Sequence, residues 1–594
     1  MKVRLKINDL VCCLAFVFWA FIYPNHILMN EQLSLFLYRW DFWTQYALQP
    51  GGWSAYCGQF LAQFYFNRWL GALIQTVFVY VLLSLSKRIL KKMGAKGNLL
   101  LTGLFPALIL TALQCDNHFT PGDSLALSAP FALMLLYLNI RQALSRRIAC
   151  TLAIVPVFLF FGAAATCCLY AACSLYELLF ARDSWKYATP VWLLAAGLLP
   201  YIWQSVYLTP NETLFDILSF TLDKGIRYVP YILLIFTPFY VIASAISFRR
   251  RLAVATFNKS SRRQMTVRPF HIFYTILLLL LWIGCGYYLF SNTYNRIEEQ
   301  KFGMDIAASR NDWDRVLKIS ERVEKPDKHV IFYTNLALAI KRELPNKMFR
   351  YAQIDESGLL LTRIWDDFNL RYGSAFFYHI GILNEAIRWI FDAHIDRSRG
   401  MDYHTLTRLA VWSQENGDMQ VADKYFDLLE GTLMYRSFAK HQRKAGIPEN
   451  KISSVTPKEF YIGGREPVTD MAWHYENFPE NWMTADYLLC YLLLKTDLDK
   501  FLALFKMCYK PSSNEMPQAY QEALLFLAGD GKINIRDYPI PQATIQRYLS
   551  FNSMVNKGKD NELQKQFGDT WCWYSYRKKP SKNDNLAPIK KQYE

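Results

Sequence analysis

Two stretches of the sequence hold acids, bases and cations close enough together to do chemistry. The first, residues 29–66, carries Glu31, Arg39, Asp41, Gln59 and Gln63, with Arg68 just beyond, among aromatics that run from Phe36 to Trp69. A carboxylate such as Glu31 or Asp41 can take a proton from an acceptor hydroxyl, and Arg39 or Arg68 can hold a phosphate. The plainer alternative is one or two amphipathic helices along an interface, with an aromatic belt and surface charge. The second stretch places Asp116, His118 and Asp123 within eight residues. These are candidates for substrate binding or a divalent cation, or for a solvated turn in which Asp123 caps the next helix. Glu177 is the only acid deep in an apolar run, and it is expected to snorkel or to pair with Arg182. The loop 208–226, with Glu212, Asp216, Asp223 and Lys224, reads as solvated charge, and His26 as a residue of the headgroup zone. No phosphate-binding Gly-Lys-Ser loop, dinucleotide fingerprint, HExxH, Gly-x-Ser-x-Gly or CxxC occurs in the chain.

The elements that must position these groups are apolar helices. Residues 1–290 hold 24 of the 66 Lys and Arg but only 10 of the 50 Asp and Glu, whereas residues 291–594 hold 42 and 40. The basic excess of the first half lies in short loops between apolar runs, which is the pattern of a membrane protein and not of a nucleic-acid surface. A span needs about 20 apolar residues to cross about 30 Å of hydrocarbon. Runs near 9–28, 67–86, 99–115, 123–140, 148–164, 165–181, 187–207, 227–248 and 270–290 give about nine, three of them with the central prolines Pro106, Pro130 and Pro156. The first run follows Lys2, Arg4 and Lys6 and has no small-x-small site after it, so it is expected to be retained. With the N-terminus in the cytoplasm, the inner segments hold 20 basic residues and the outer ones 4. The stretch 148–181 is one long helix or two short ones meeting at Gly162. Two keep the charge bias intact and deliver residues 291–594 to the outside, which in a bacterial inner membrane is the periplasm.

After Phe290 no run is long enough to cross. Apolar residues recur at spacings of three and four, so the fold class is all-α: a transmembrane bundle over 1–290, then a soluble helical domain over 291–594. Leu406, Leu409, Ala410 and Trp412 line one helix, Gly417 turns the chain, and Ala422, Tyr425, Phe426 and Leu429 line a second. This resembles a tetratricopeptide-like repeat. Weaker echoes occur at Asn311–Leu317, Gly381–Trp389 and Tyr520–Leu527. Residues 446–470 read as a long loop and 577–594 as a frayed basic tail.

A multi-span bundle with a long, acidic, amphipathic first outer loop resembles the GT-C superfamily of polyprenyl-phosphate-sugar glycosyltransferases. Such a bundle followed by outward repeats is similar in layout to eukaryotic membrane O-mannosyltransferases. The whole chain resembles an uncharacterised bacterial polytopic membrane family of the same two-part design. The resemblance implies a lipid-linked sugar donor, a role in cell-envelope glycan assembly, and an acid early in the first outer loop as base. Glu31 and Asp41 are the positions available here; the acidic pair common in that loop is absent. Two further readings stay open. The same architecture without an active site is a membrane-anchored scaffold that binds an envelope protein through residues 291–594. A transporter is third, since the bundle interior is nearly free of ionisable residues and shows no internal symmetry.

Overall fold

Pro24 sets the shape of the first segment. It has no N–H to continue the preceding helix, so the chain turns there and starts another. In a computed structural model, which describes residues 7–207, 214–216, 226–260, 268–362, 367–396, 401–446, 467–509, 516–558 and 560–578, every regular element among the described residues is helical. Two compact units emerge. One comprises Met1–Glu299 together with Met401–His404 and Phe426–His441; the other comprises Gln300–Gly400, Thr405–Tyr425 and Gln442–Glu594. The expected division at residue 290 thus misses two short segments of the C-terminal half that belong with the bundle.

In the first unit, α1 (Ile7–Val17) runs through a π-helical turn, Phe18–Ile22, and bends by 72° into α2 (Pro24–Gln32). The outer loop then forms α3 (Trp40–Ala47) and α4 (Gly52–Ala62), joined at Gly51 with φ +73°. One or two helices are expected in this loop, and two form. α4 is more than a surface helix, because a Cβ on its Gly58 would lie 2.2 Å from the Gly122 backbone nitrogen. Only glycine permits that backbone-to-backbone approach. α5 (Arg68–Lys92), 25 residues long and apolar enough to cross a membrane, is capped by Asn67 and ends in Lys91 and Lys92. A 3-10 stretch, Gly97–Leu104, leads into α6 (Phe105–Leu113), and α7 (Pro121–Asn139) opens with a reciprocal capping box between Thr120 and Asp123.

Residues 143–180 fold back on themselves. α8 (Ala143–Leu152) and α9 (Ile154–Phe161) bend by 51° at their junction, and α10 (Ala163–Phe180) begins at Gly162, whose φ of +83° favours glycine. The two arms are antiparallel, since Tyr170 Oη donates to the Cys150 carbonyl at 2.8 Å and Arg146, at the start of one arm, pairs with Glu177 near the end of the other. α11 (Val191–Tyr207), α12 (Val229–Ser260) and α13 (Arg268–Thr293) complete the bundle, and α14 (Arg296–Ser309) follows. Its core is built from residues such as Leu82, Leu110, Leu127, Phe131, Leu233 and Tyr240, all buried.

Among the described residues, five helices are long and apolar enough to cross a membrane, or seven if each bent pair is one span, against the nine expected. The difference lies in 97–113, where only nine residues are α-helical, and in α11, whose 17 residues rise about 26 Å. In the first bent pair the polar side chains Asn25, His26, Asn30, Glu31 and Gln32 all lie past the bend.

The second unit is a series of helical hairpins closed by one device. At Asn311, Arg342, Gly381, Gly417, Thr496 and Gly531 the chain adopts φ between +56° and +89°. Each time, the next residue's N–H donates to the carbonyl five back: Asp312 to Ala307, Glu343 to Leu338, Ile382 to Phe377, Asp418 to Ser413, Asp497 to Leu492 and Lys532 to Leu527, all at 2.7–3.0 Å. This is the Schellman closure. In two of these hairpins the aspartate also caps the following helix, Asp312 accepting from Arg315 N and Asp497 from Lys500 N. The faces expected around Gly417 are buried, with Tyr425 half-buried. Most of the expected loop at 446–470 and nearly all of the basic tail lie outside the described residues, as do Glu212, Asp223 and Lys224.

Candidate functional site

Of the two acids singled out in the outer loop, one is buried and one is not. Asp41 is 62% exposed and holds Arg39, itself 53% exposed, in a two-point pair at 3.0 and 3.1 Å. Such exposed pairs contribute little. Glu31 is 1% exposed. Its Oε2 accepts hydrogen bonds from Gln32 Nε2 at 2.7 Å and from Tyr435 Oη at 3.1 Å, while its Oε1 is buried and has no partner among the described residues. Burial pushes the carboxyl up to about 8, against the pull of those two donors.

The walls of this site come from both ends of the sequence. Tyr435 stacks on Tyr403 with centroids 4.5 Å apart, and the Tyr403 hydroxyl accepts from Phe36 N at 3.2 Å. The backbone joins in: Tyr403 N donates to the Ser34 carbonyl at 3.0 Å, and Tyr38 N to the Gly431 carbonyl at 3.3 Å. Residues 33–38, between α2 and α3, are thus clasped by 401–404 and 426–441. From the other side Gln59 Oε1 accepts from Leu35 N at 3.4 Å and Gln63 Oε1 from Tyr38 Oη at 3.1 Å, so both outer-loop glutamines brace the segment after Glu31.

α2 is anchored at its other end by a second buried acid. Glu299, on α14, accepts from Asn25 N through Oε1 and from His26 N through Oε2, each at 2.8 Å. A carboxylate at a helix N-terminus satisfies orphan donors and opposes the dipole. Burial nevertheless raises Glu299 to about 8. His26 is fully buried. Its Nε2 lies 3.0 Å from both the Gln114 carbonyl and Asn30 Nδ2, and its ring stacks on Tyr23 at 4.7 Å.

The remaining candidates do not converge on Glu31. Arg68 lies over the Trp69 ring at 4.6 Å on an exposed helix start. Asp116 accepts from His118 N at 2.8 Å and faces its Nδ1 at 3.5 Å, closing a local turn, while Asp123 is spent in the capping box. Among the described residues no three His, Cys, Asp or Glu side chains are grouped to hold a metal ion. Cys57 and Cys115 are free thiols. Glu177 pairs with Arg146 and Arg147, not with Arg182, and accepts from Tyr137 Oη at 2.7 Å. This network joins the ends of α7, α8 and α10.

Tyr403, Tyr435 and Glu299 went unmarked in the sequence. Tyr435 lies 404 residues from Glu31, and no local pattern links them.

A family model described as a family of unknown function, DUF6057, matches residues 2–578. No curated protein matches, and no solved structure does.

Proposed function

Given that the chain belongs to the DUF6057 family, whose function is unknown, we propose that it is a membrane-embedded transferase of the GT-C kind, with Glu31 as its acid–base group. The observation that carries this reading is the Glu31 carboxyl, buried, with one oxygen fixed by Gln32 and Tyr435 and the other unpartnered. A general base works best when its pKa lies near the working pH, and burial moves Glu31 there. Perturbed acids cluster at functional sites. In the proposed step an acceptor hydroxyl oxygen attacks the anomeric carbon of a polyprenyl-phosphate sugar. Its proton passes to Glu31 Oε1, and the bond to the phosphate oxygen breaks with its electron pair leaving on the lipid phosphate. Asp41, paired with Arg39 in solvent, has no part in the step.

The test is a deletion strain complemented with Glu31→Gln or Asp41→Asn, read by surface-glycan profile and by protein level. Loss of a glycan in the Glu31→Gln strain alone, at normal protein abundance, is the expected result. A wild-type profile from Glu31→Gln overturns the assignment. The hairpin series of the second unit favours a second reading, a scaffold presenting a concave helical face to an envelope protein. It predicts a changed envelope in the deletion strain and wild-type behaviour from both point variants.

A further inference from the structure

The second unit contains a cavity of about 420 Å³ that the proposed chemistry at Glu31 does not use. Its size falls within the roughly 300–1,000 Å³ of small-molecule sites. One wall is the 3-10 turn ending at Arg350 with the residues after it, and the other is the last described helix, Trp571–Lys578.

The lining is cationic and aromatic. Arg350, Arg577 and Lys578 face it together with Tyr351, Trp573 and Tyr574, and no lining residue is a carboxylate. Lys578 is already engaged, 3.6 Å from Glu356 and bonded to the Leu494 carbonyl. Arg350 and Arg577 are exposed, and among the described residues neither pairs with an acid. The Arg577 guanidinium lies over one face of the Trp573 ring, 5.8 Å from its centre. Phe349 packs on Tyr574 at 5.4 Å and fixes the floor.

These features narrow the occupant. Two guanidiniums with no acid partner among the described residues can take an anion, and their planar forks match a carboxylate. Flat aromatic walls beside them suit the C–H face of a sugar ring. Aliphatic lining is confined to Ala352 and Ile354, too little for a lipid chain. At the walls the Tyr351 N–H donates to the Met348 carbonyl and the Thr570 N–H to the Phe567 carbonyl.

We propose that this cavity binds an acidic saccharide, with Arg350 and Arg577 taking the carboxylate and Tyr351 and Trp573 the ring. The assignment is independent of catalysis at Glu31. Full-length protein in nanodiscs is titrated calorimetrically with trigalacturonate, with maltotriose as the uncharged counterpart and with inorganic phosphate as the bare anion. Trigalacturonate should bind, and more weakly at high salt. The Arg350→Ala/Arg577→Ala double variant should lose about tenfold or more in affinity. Both arginines are exposed, so the double variant should keep the wild-type melting temperature; Trp573→Ala, at a half-buried ring, is a second probe of the same loss. Absent binding of trigalacturonate, or equal binding by the double variant, overturns the proposal. Equal affinity for maltotriose overturns the role of the arginines, and equal affinity for phosphate that of the rings; either result sinks the acidic-saccharide assignment.

Discussion

Glu31 and Asp41 carry the same functional group, and the fold treats them oppositely. Asp41 faces water beside Arg39, whereas Glu31 is walled in by Gln32, Tyr403 and Tyr435. Sequence pattern could nominate both, since each lies among aromatics in one loop, but it could not rank them. The ranking depends on tyrosines that reach the loop only after the second half of the chain has folded. The burial has a measurable consequence for stability. An acid whose folded pKa is raised binds its proton more tightly folded than unfolded. Its favourable contribution is complete below the unfolded value of about 4.3 and is lost as pH rises through about 8. Glu31→Gln keeps the shape and removes the titration. The melting temperature of the variant relative to wild type should therefore climb between pH 5 and pH 9, each tenfold difference in proton affinity between the folded and unfolded chain being worth about 1.4 kcal/mol. Differential scanning fluorimetry at several pH values reads this directly, and a difference independent of pH contradicts a buried, titrating Glu31.

At the scale of elements, the helical hairpins were the most legible part of the second unit. Gly417 announced itself as a turn, and the apolar faces on either side of it are the ones that the fold buries. Thr496 gave no such signal, because threonine is not a residue that favours positive φ, yet it closes its hairpin with the same pair of backbone bonds. The backbone geometry is common, while the residue that adopts it is not, so composition finds some closures and passes over others. The two positions should respond to mutation with opposite signs. A Cβ at Gly417 meets no atom within 4 Å, so Gly417→Ala isolates the backbone cost, about 1 kcal/mol of destabilisation. Thr496→Gly relieves a β-branched residue at φ +59° and should stabilise, by about 0.5 kcal/mol once glycine's extra unfolded freedom is deducted. Melting temperatures of the full-length protein check both; a loss of stability in both variants contradicts the shared closure. In the first unit the bend at Pro24 and the close approach of Gly58 to Gly122 were beyond a reading of apolar runs. The first needs the geometry of a π turn, and the second needs to know which helix lies opposite.

At the scale of the whole chain, the first unit has two chemically distinct ends, and the contacts within it sort the segments between them. One end gathers Lys87 on Asn8, Lys92 on Asn139, and Arg146 and Arg147 on Glu177 and Asp183. The other gathers Gly51 against Gly162, Gly58 against Gly122, Tyr23 on the Cys115 carbonyl, and Glu299 on α2. The antiparallel return at Gly162 belongs to this sorting. Had 148–181 been one crossing, Arg146 and Glu177 would stand at opposite ends, whereas they are ion-paired. The segments at the first end are the ones that the charge bias assigned to the cytoplasm, and the chain enters α14 from the second. The positive-inside rule predicts that residue 299, and with it Tyr403 and Tyr435, lies across the membrane from the ribosome. A reporter enzyme active only outside the cytoplasm, fused after Lys578, should be active, and the same enzyme inserted in the 141–147 segment should be silent. A fluorescent protein that matures only in the cytosol should give the reverse. If the fusion after Lys578 glows, Glu31 and the clasp around it face the cytoplasm, where lipid-linked donors facing the periplasm are out of reach, and the proposed transfer loses its substrate.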